Sequence, residues 1–365
     1  MIRIILIITL SLLCLGCGAT GAKTTATTAH TETIDDKAEK ILSSMKLSEK
    51  IGQMVMMGVH GEDITDDSRF LLQQYHIGGV IFFDRNMKNP AQVKKFIANL
   101  KAAGDKKAPM LFALDEEGGL VARMKDGLTA PPPAGDIGKT GDPSVSYSAM
   151  KKTADEMKAI GFNVNFAPVA DLALNKNRSF STDGKTVALF TNETIRAIND
   201  GGLIGTLKHF PGLGGATVDT HKGTAVVNKT KAELLANDLL PYINANHDYN
   251  YFIMVGHGTY PALDELPAGF SKAIVTDLLR GELKYDGVVV TDDLNMGAIT
   301  MFNEEERAVR AINAGVDIIL SCHDYKMTEK MYLAILDAAE KGEITENRIN
   351  QSVKRILKAK IRLEK

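Results

Sequence analysis

The sequence GTLKHFPGLGGATVDTH, residues 205–221, carries both a buried strand and a cluster of polar side chains at its exit. The apolar run Leu203–Leu207 is typical of a short buried strand, and Lys208 and His209 follow directly. A glycine-rich loop then ends in Asp219-Thr220-His221. In an extended segment residues two apart share a face, so Asp219 can bond the His221 ring and favour its protonated form. This pattern predicts a proton donor beside the end of a strand.

Seven further apolar segments of the same kind surround this one, and helical patterns alternate with them. The eight predicted strands are Gln53–Val59, Gly78–Phe83, Met110–Leu114, Asn163–Val169, Leu203–Leu207, Tyr251–Val255, Gly287–Val290 and Asp317–Leu320. Predicted helices cover Asp35–Ser44, a segment beginning near Pro90, Ser144–Ile160, Thr186–Asp200, Ser271–Leu283, Glu304–Ala314, Thr328–Lys341 and Glu346–Leu363. Nearly continuous apolar strands indicate a parallel sheet covered on both faces. Eight such units predict an α/β fold, a single (β/α)8 barrel of the TIM type.

Polar residues fall at the carboxyl ends of these predicted strands, which in a barrel form one rim. They are Asp115, Asp171, Lys208, His209, His257 and Asp292. Asp292 follows the seventh strand and could act as a nucleophile, as a base, or as a helix cap together with Asp293. Both His209 and His257 could instead be buried structural histidines.

The acids Asp115 and Asp171 stand at separate strand ends, beside Arg123, Arg178 and Lys208. Such a set suggests a neutral polyhydroxylated ligand held by charge-assisted hydrogen bonds. The alternative is a ring of structural salt bridges around the barrel mouth.

A metal is not expected at this rim, because the potential ligands are too few for a tight cluster. The first strand offers only His60, and Asp219 and His221 supply one or two ligands. We expect no other cofactor.

The amino terminus has the pattern of an export signal. Arg3 precedes an apolar run from Ile4 to Leu15, which is shorter than the roughly 20 residues of a spanning helix. Leu-Gly-Cys at 15–17 resembles the lipobox of bacterial lipoproteins, although Cys14 stands where Leu is usual. An uncleaved anchor or an ordinary secretory signal is the alternative. We expect a signal peptide over residues 1–16, lipidation of Cys17, a flexible tether over 17–34 and the barrel over 35–365.

These assignments place the protein outside the cytoplasm, attached to a bacterial membrane by lipid. Cys322 would then have no cysteine partner, so the domain must stand without a disulfide. The composition, with 44% apolar residues and a formal charge of -2, shows no basic excess that would indicate nucleic acid. We expect a monomer.

Several motifs together resemble one family. The sequence KHFPG, a glycine-rich gap and then D-x-H are similar to the signature of the β-N-acetylglucosaminidase branch of glycoside hydrolase family 3. The segments Asp115–Arg123, Asn165–Asp171, Arg178–Phe180, Thr291–Met296 and Ile344–Leu357 resemble family segments in the same order. Two positions depart from the pattern, because Leu120 stands where Arg is frequent and Leu213 where a PGHG motif has His.

The resemblance implies a retaining exo-β-N-acetylglucosaminidase acting on peptidoglycan fragments or chito-oligosaccharides. Asp292 would form the glycosyl-enzyme, His221 would be the general acid/base and Asp219 would orient it. Residues matching the family's sugar-binding positions are Asp115, Arg123, Arg178, Lys208 and His209. Two other functions stay open: phosphorolysis, in which phosphate intercepts the glycosyl-enzyme, and a sugar-binding lipoprotein without catalysis.

Overall fold

The structure is a computed structural model that describes residues 32–174, 177–215, 223 and 225–364. Residues 33–365 form one compact unit. The expected signal peptide, Cys17 and nearly all of the expected tether lie outside the described residues, so they remain predictions. Within the described ranges, no helix is long and apolar enough to cross a membrane.

Eight parallel strands form a nearly closed barrel, which confirms the predicted fold class. They are β1 (Val55–Gly58), β2 (Gly79–Ile81), β3 (Leu111–Leu114), β4 (Val164–Asn165), β5 (Gly205–Phe210), β6 (Tyr251–Val255), β7 (Val289–Asp293) and β8 (Ile318–Ser321). Hydrogen bonding runs in the order β4-β3-β2-β1-β8-β7-β6-β5. Single bridges between Val164 and Ile204 and between Val169 and Lys208 join the two ends of this sheet. The carboxyl ends of all eight strands therefore surround one mouth.

Helices follow or precede the strands around the outside of the barrel. They are α1 (Ile34–Ser43), α2 (Leu47–Gln53), α3 (Asp66–Tyr75), α4 (Pro90–Ala103), α5 (Ala134–Gly138), α6 (Pro143–Ile160), α7 (Gly184–Asp200), α8 (Lys231–Glu233), α9 (Leu240–Ile243), α10 (Glu304–Ala314), α11 (Tyr325–Glu340) and α12 (Glu346–Arg362), with π-helical segments at Leu234–Asp238 and Ala273–Glu282. The Ser271 hydroxyl accepts the Ile274 N–H at 3.1 Å at the start of the second of these π-helical segments.

Two strand boundaries differ from the sequence prediction in a way that matters for the site. β5 continues to Phe210, because Lys208 still pairs with Met254 of β6. Lys208 and His209 are therefore strand residues instead of loop residues. β7 likewise continues to Asp293, so Asp292 is the second-to-last residue of the strand. Both polar segments are held by backbone pairing on rigid elements.

Two short hairpins follow the carboxyl ends of β3 and β6 at the mouth of the barrel. Glu116–Gly118 pairs with Val121–Ala122 directly after β3, and Thr259–Tyr260 pairs with Asp264–Pro267 after β6. Phe82, Phe112, Phe166, Phe210 and Phe252 are each almost fully buried. Phe82 packs against Phe96 of α4, and Phe210 packs against Tyr242 of α9. Burying one such side chain contributes about 1.5–3 kcal/mol. The packed interior keeps the strand ends in fixed positions.

Candidate active site

A buried network of charges joins β3, the hairpin after it and β5. The Lys208 ammonium lies 2.7 Å from Asp115 Oδ1 and 2.7 Å from Glu117 Oε1. Arg178 contacts the same Glu117 with two nitrogens, Nε to Oε2 at 2.8 Å and NH2 to Oε1 at 2.7 Å. Two cations and two carboxylates thus alternate along one side of the mouth.

The pKa values of this network follow from its geometry. Burial raises the pKa of Glu117, but Lys208 and Arg178 outweigh it and bring that pKa down to about 2. Burial lowers the pKa of Lys208, but Asp115 and Glu117 hold it above its ordinary value. Only 3% of the Lys208 side chain is exposed, against 14% for Asp115 and 21% for Arg178. Lys208 therefore supports the site from below, while Asp115 and Arg178 reach its surface.

Asp171 and His209 form a second pair in the floor of the mouth. His209 Nδ1 lies 2.7 Å from Asp171 Oδ2. The Asp171 carboxylate also accepts the backbone N–H groups of His209, at 3.2 Å, and Leu213, at 2.7 Å. Because a hydrogen bond from Nδ1–H fixes the ring, His209 Nε2 faces Asp292 Oδ2 at 3.9 Å. Asp171 thus bonds a histidine, whereas the sequence had suggested an arginine or Lys208 as its neighbour.

Asp292 is the carboxylate that faces the centre of this floor, with 18% of its side chain exposed. Burial raises the pKa of Asp292, but His209, the Asp293 N–H and Lys208 together hold it below its ordinary value. Its Oδ1 accepts that N–H at 2.8 Å. The helix-cap alternative finds no support, because Asp293 Oδ1 accepts the N–H groups of Asn295, at 3.2 Å, and Cys322, at 3.1 Å, and the short helix that follows at Gly297–Ile299 has no side-chain cap.

His257 lies behind Asp292 and is completely buried. Its Nε2 is 3.0 Å from the carbonyl oxygen of Asp293, and burial lowers the pKa of the ring. The neutral ring must therefore carry its proton on Nε2 and donate it to that carbonyl. This bond ties the end of β6 to the end of β7. It fits the structural alternative for His257, since the ring contacts the backbone beside Asp292.

The hairpin after β3 carries Arg123 to the mouth. Glu116 Oε2 accepts the Arg123 N–H at 3.0 Å, and burial raises the Glu116 pKa to about 7. The Arg123 guanidinium lies 3.8 Å from Asp115 Oδ2 and 3.6 Å from Asp84 Oδ1. Its side chain is 33% exposed, and Leu120 at the hairpin tip is 73% exposed. Arg123 is therefore available to a ligand entering from solvent.

Asp219 and His221, the predicted acid/base pair, lie outside the described residues, so their contacts stay predictions. The start of their loop is well fixed. The Tyr260 hydroxyl donates to the Gly212 carbonyl at 2.7 Å, and Leu213 is bound to Asp171 through its N–H. This loop therefore leaves the barrel directly beside His209.

Glu117, like Glu116 and Asp84 beside Arg123, is a charged residue of this site that was not predicted from the sequence. Its place in the acidic run after β3 was the available signal, but its partner Arg178 is 61 positions away. A small cavity, partly open to solvent, adjoins this pair and is lined further by Met150, Pro168 and Phe180. It lies on the α5–α6 side of the pair. A group of three residues that could hold a metal ion, Glu49, His76 and Asp105, lies away from the mouth.

Comparison with known proteins gives a consistent result. The model of the glycosyl hydrolase family 3 N terminal domain matches residues 46–359. A beta-hexosaminidase of Stenotrophomonas maltophilia strain K279a is 36% identical over 293 residues, covering 76% of this chain and 86% of that protein.

Two solved structures are similar over most of the barrel. A glycoside hydrolase family 3 beta-N-acetylglucosaminidase from Paenibacillus sp. str. FPU-7 has 38% identity and a TM-score of 0.85 over 88% of this chain, which spans 63% of that protein. A beta-N-acetylhexosaminidase from Beutenbergia cavernae has 29% identity and a TM-score of 0.80, covering 87% of this chain and 98% of that one.

Proposed function

Because the chain belongs to glycosyl hydrolase family 3, and is therefore a glycoside hydrolase, we propose that it is a retaining exo-β-N-acetylglucosaminidase. Its substrates would be terminal β-linked N-acetylglucosamine residues of peptidoglycan fragments or chito-oligosaccharides. The relatives' names supply the hexosamine. The single observation that carries the proposal is the state of Asp292, a partly exposed carboxylate at the end of β7 whose pKa lies below its ordinary value. An ionised carboxylate facing a barrel mouth has the properties of a nucleophile.

In the proposed reaction an Asp292 oxygen attacks the anomeric carbon and the bond to the leaving oxygen breaks. His221 gives its proton to that oxygen, so that the aglycone leaves as an alcohol. Neutral His221 then takes a proton from water, which attacks the glycosyl-enzyme and releases the sugar with Asp292 restored. Two carboxylates about 5 Å apart, as in many retaining glycosidases, would compete for ionisation, whereas a histidine as acid/base leaves Asp292 charged. Asp219 would orient the His221 ring.

The sugar hydroxyls would be held by the charged groups around Asp292. Asp115, Arg123 and Arg178 are the exposed members, and His209 forms the floor. Lys208 is 3% exposed, so we assign to it mainly the support of Asp115. Charge-assisted hydrogen bonds of this kind orient a neutral ligand that carries many hydroxyl groups.

The test is to trap the intermediate with a slow fluorinated N-acetylglucosaminyl donor and to map the labelled peptide. We expect one sugar per chain, attached to the peptide that contains Asp292, and no label in Asp292→Asn. A label on another residue would overturn the nucleophile assignment. Release of sugar 1-phosphate that requires added phosphate would indicate the phosphorylase, and absence of turnover and label with bound sugar would indicate a sugar-binding protein.

We propose further that Asp219 acts through His221. Asp219→Ala should lower kcat on a chromogenic β-N-acetylglucosaminide while KM changes little, because the orientation of the ring is lost but the sugar contacts stay. An unchanged kcat would contradict the pair.

We also propose that the protein is exported and anchored to a membrane through lipid on Cys17. Support comes from the sequence alone, with its short apolar run and the Leu-Gly-Cys motif. In bacterial expression the intact chain should fractionate with membranes and incorporate labelled fatty acid. Cys17→Ser should incorporate none, and equal labelling of both forms would refute the anchor.

A further inference from the structure

Three ligand-type side chains meet at the end of the barrel opposite the mouth. Glu49 lies in α2, which leads into β1, His76 follows α3 and precedes β2, and Asp105 lies between α4 and β3. One ligand atom from each residue lies within 4.8 Å of the other two. All three therefore come from segments that enter the amino-terminal ends of consecutive strands. None belongs to the catalytic mouth.

The backbone around these side chains is fixed by short contacts. Glu49 Oε2 accepts the Lys46 N–H at 2.7 Å, and Asp105 Oδ1 accepts the Lys107 N–H at 2.8 Å. The His76 carbonyl accepts a hydrogen bond from Gln53 Nε2 at 3.2 Å. A Cβ atom at Gly52 would lie 2.1 Å from the Tyr75 carbonyl oxygen, so α2 packs directly against the end of α3. The three side chains are brought together by rigid packing.

Asp105 supplies the observation that points to a ligand. Its side chain is 8% exposed, and its Oδ2 atom is buried without a hydrogen-bond partner among the described residues. The nearest cationic candidate is His76 Nδ1 at 3.9 Å, which is too long for a hydrogen bond. An unsatisfied buried carboxylate oxygen costs free energy, and native proteins rarely leave one. A positively charged group between Asp105 and His76 would remove that cost.

Lys107 does not fill this role, because it is already committed to Glu49. Its Nζ lies 2.8 Å from Glu49 Oε1 and 2.6 Å from Oε2, and it also donates to the Ser44 carbonyl at 3.0 Å. Lys360, a nearby buried lysine, donates to Gln53 Oε1 at 2.6 Å and to the Gly78 carbonyl at 3.0 Å. Neither lysine donates a hydrogen bond to Asp105 Oδ2. For Glu49 to bind an ion, Lys107 must release one of the two Glu49 oxygens that it now contacts.

We propose that Glu49, His76 and Asp105 form a binding site for a divalent transition-metal ion, with Zn²⁺ as the preferred ion. One imidazole nitrogen and two carboxylate oxygens are ligands that Zn²⁺ accepts, and water would complete a tetrahedron. Mg²⁺ and Ca²⁺ favour oxygen ligands alone, so the histidine selects against them. The three ligand atoms, which now lie within 4.8 Å of one another, must each move closer to the others by about 1 Å. They would then lie roughly 2.0–2.2 Å from a shared Zn²⁺.

The ion would have a structural role, because it would link the entries of β1, β2 and β3. His76, whose side chain is 31% exposed, provides the route for the ion from solvent. Because the ion would bind only to the folded chain, the unfolding temperature should rise with the logarithm of the ion concentration relative to its Kd. Hydrolysis at the opposite mouth should proceed without the ion.

His76 offers a substitution that removes the ligand without harming the backbone. Its φ of 54° is left-handed, a conformation that glycine adopts more readily than histidine. His76→Gly should therefore fold at least as well as the parent chain in the absence of metal. The matched control is His247→Gly, which deletes another surface histidine, and a second ligand variant is Asp105→Asn.

The experiment titrates the full chain, stripped with EDTA, with Zn²⁺ by calorimetry and records thermal unfolding with and without the ion. The parent and His247→Gly should bind one Zn²⁺ at this site and unfold at a higher temperature with it. His76→Gly and Asp105→Asn should lose on the order of 100-fold or more in affinity for that ion and most of the thermal shift. Co²⁺ bound to the parent should show visible absorption that His76→Gly lacks.

Zinc binding that is equal in the parent and His76→Gly would overturn the proposal, as would a parent chain that binds no Zn²⁺. Ions bound at the catalytic mouth are separable, because they would survive His76→Gly and would inhibit hydrolysis. The metal-stripped parent and His76→Gly should hydrolyse a chromogenic β-N-acetylglucosaminide at equal rates. A loss of activity on stripping that Zn²⁺ restores would contradict the structural role.

Discussion

Replacing Glu117 by Gln tests whether the buried ion pairs of Glu117 with Lys208 and Arg178 stabilise the folded protein. The Glu117 carboxylate is 6% exposed and contacts both Lys208 and Arg178 at 2.7 Å. Glutamine keeps the size of the side chain but removes its charge. Lys208 would keep Asp115 as a partner at 2.7 Å, whereas Arg178 would lose its bidentate carboxylate. We expect the variant to be folded but clearly less stable.

The size and the pH dependence of this loss follow from the pKa. A pKa that falls from 4.5 in the unfolded chain to about 2 in the folded protein corresponds to about 3 kcal/mol of stability at neutral pH. A lowered carboxyl pKa contributes its full stability above the unfolded value and loses it as pH falls toward the folded value. The difference between parent and Glu117→Gln should therefore be about 3 kcal/mol at pH 7 and only about 1 kcal/mol at pH 3.

Urea unfolding of both chains at pH 7, 4 and 3 measures this difference directly. The control is Glu265→Gln in an exposed strand of the hairpin after β6, which should change the free energy of unfolding by less than about 0.5 kcal/mol at each pH. A Glu117→Gln effect as small as the control's would show that the buried pairs contribute no net stability. A large effect that stays constant from pH 7 to pH 3 would show that it comes from packing instead of charge.

Three further changes have defined outcomes. Asp292→Asn should lower kcat on a chromogenic substrate on the order of 10⁴-fold or more while the urea midpoint stays nearly the same, and substantial turnover would exclude Asp292 as nucleophile. Asp171→Asn should lower kcat/KM roughly 10- to 100-fold, since a buried charged hydrogen bond to His209 is lost; an unaffected rate would make the pair structural. Burial lowers the pKa of Lys360 to about 7, so the free energy of unfolding of the parent relative to Lys360→Met should rise by about 3 kcal/mol between pH 6.5 and 9.5. A flat difference in that last comparison would mean that Lys360 stays charged in the folded protein.

The barrel was predictable because its strands are short apolar runs whose order and spacing carry the information. Tyr251–Val255 matches its prediction at both ends, and α10 matches at Glu304 and Ala314. The start of β1 was predicted two residues too early. Gln53 is the last residue of α2, and the strand begins only at Val55. α2 and α3 were not predicted at all. α2 has only 7 residues, too few for a periodic signal to stand out. In α3 the apolar residues Phe70, Leu71 and Leu72 are adjacent instead of spaced at three or four positions.

Pairing between charged residues could not be predicted from spacing. The sequence placed Arg178 and Asp171 in one neighbourhood, but Arg178 contacts Glu117 and Asp171 contacts His209. Which partner a side chain takes depends on how the strand ends are staggered around the barrel. It also depends on the hairpin after β3, which turns Glu117 inward. Only the folded backbone contains that information, whereas the positions of Asp115, Lys208 and Asp292 follow from strand ends alone.

The distribution of charges explains why Asp292 is chemically distinct among the acids of the mouth. Asp115, Glu117 and Asp171 each lie 2.7 Å from a lysine, arginine or histidine nitrogen. For Asp292 the ion-pair contact among the described residues is His209 at 3.9 Å. The surrounding positive charge therefore keeps Asp292 ionised without a direct cation contact covering the oxygen that faces His209. Asp292 therefore keeps an oxygen with no cation closer than His209 at 3.9 Å among the described residues, as its proposed role as nucleophile requires.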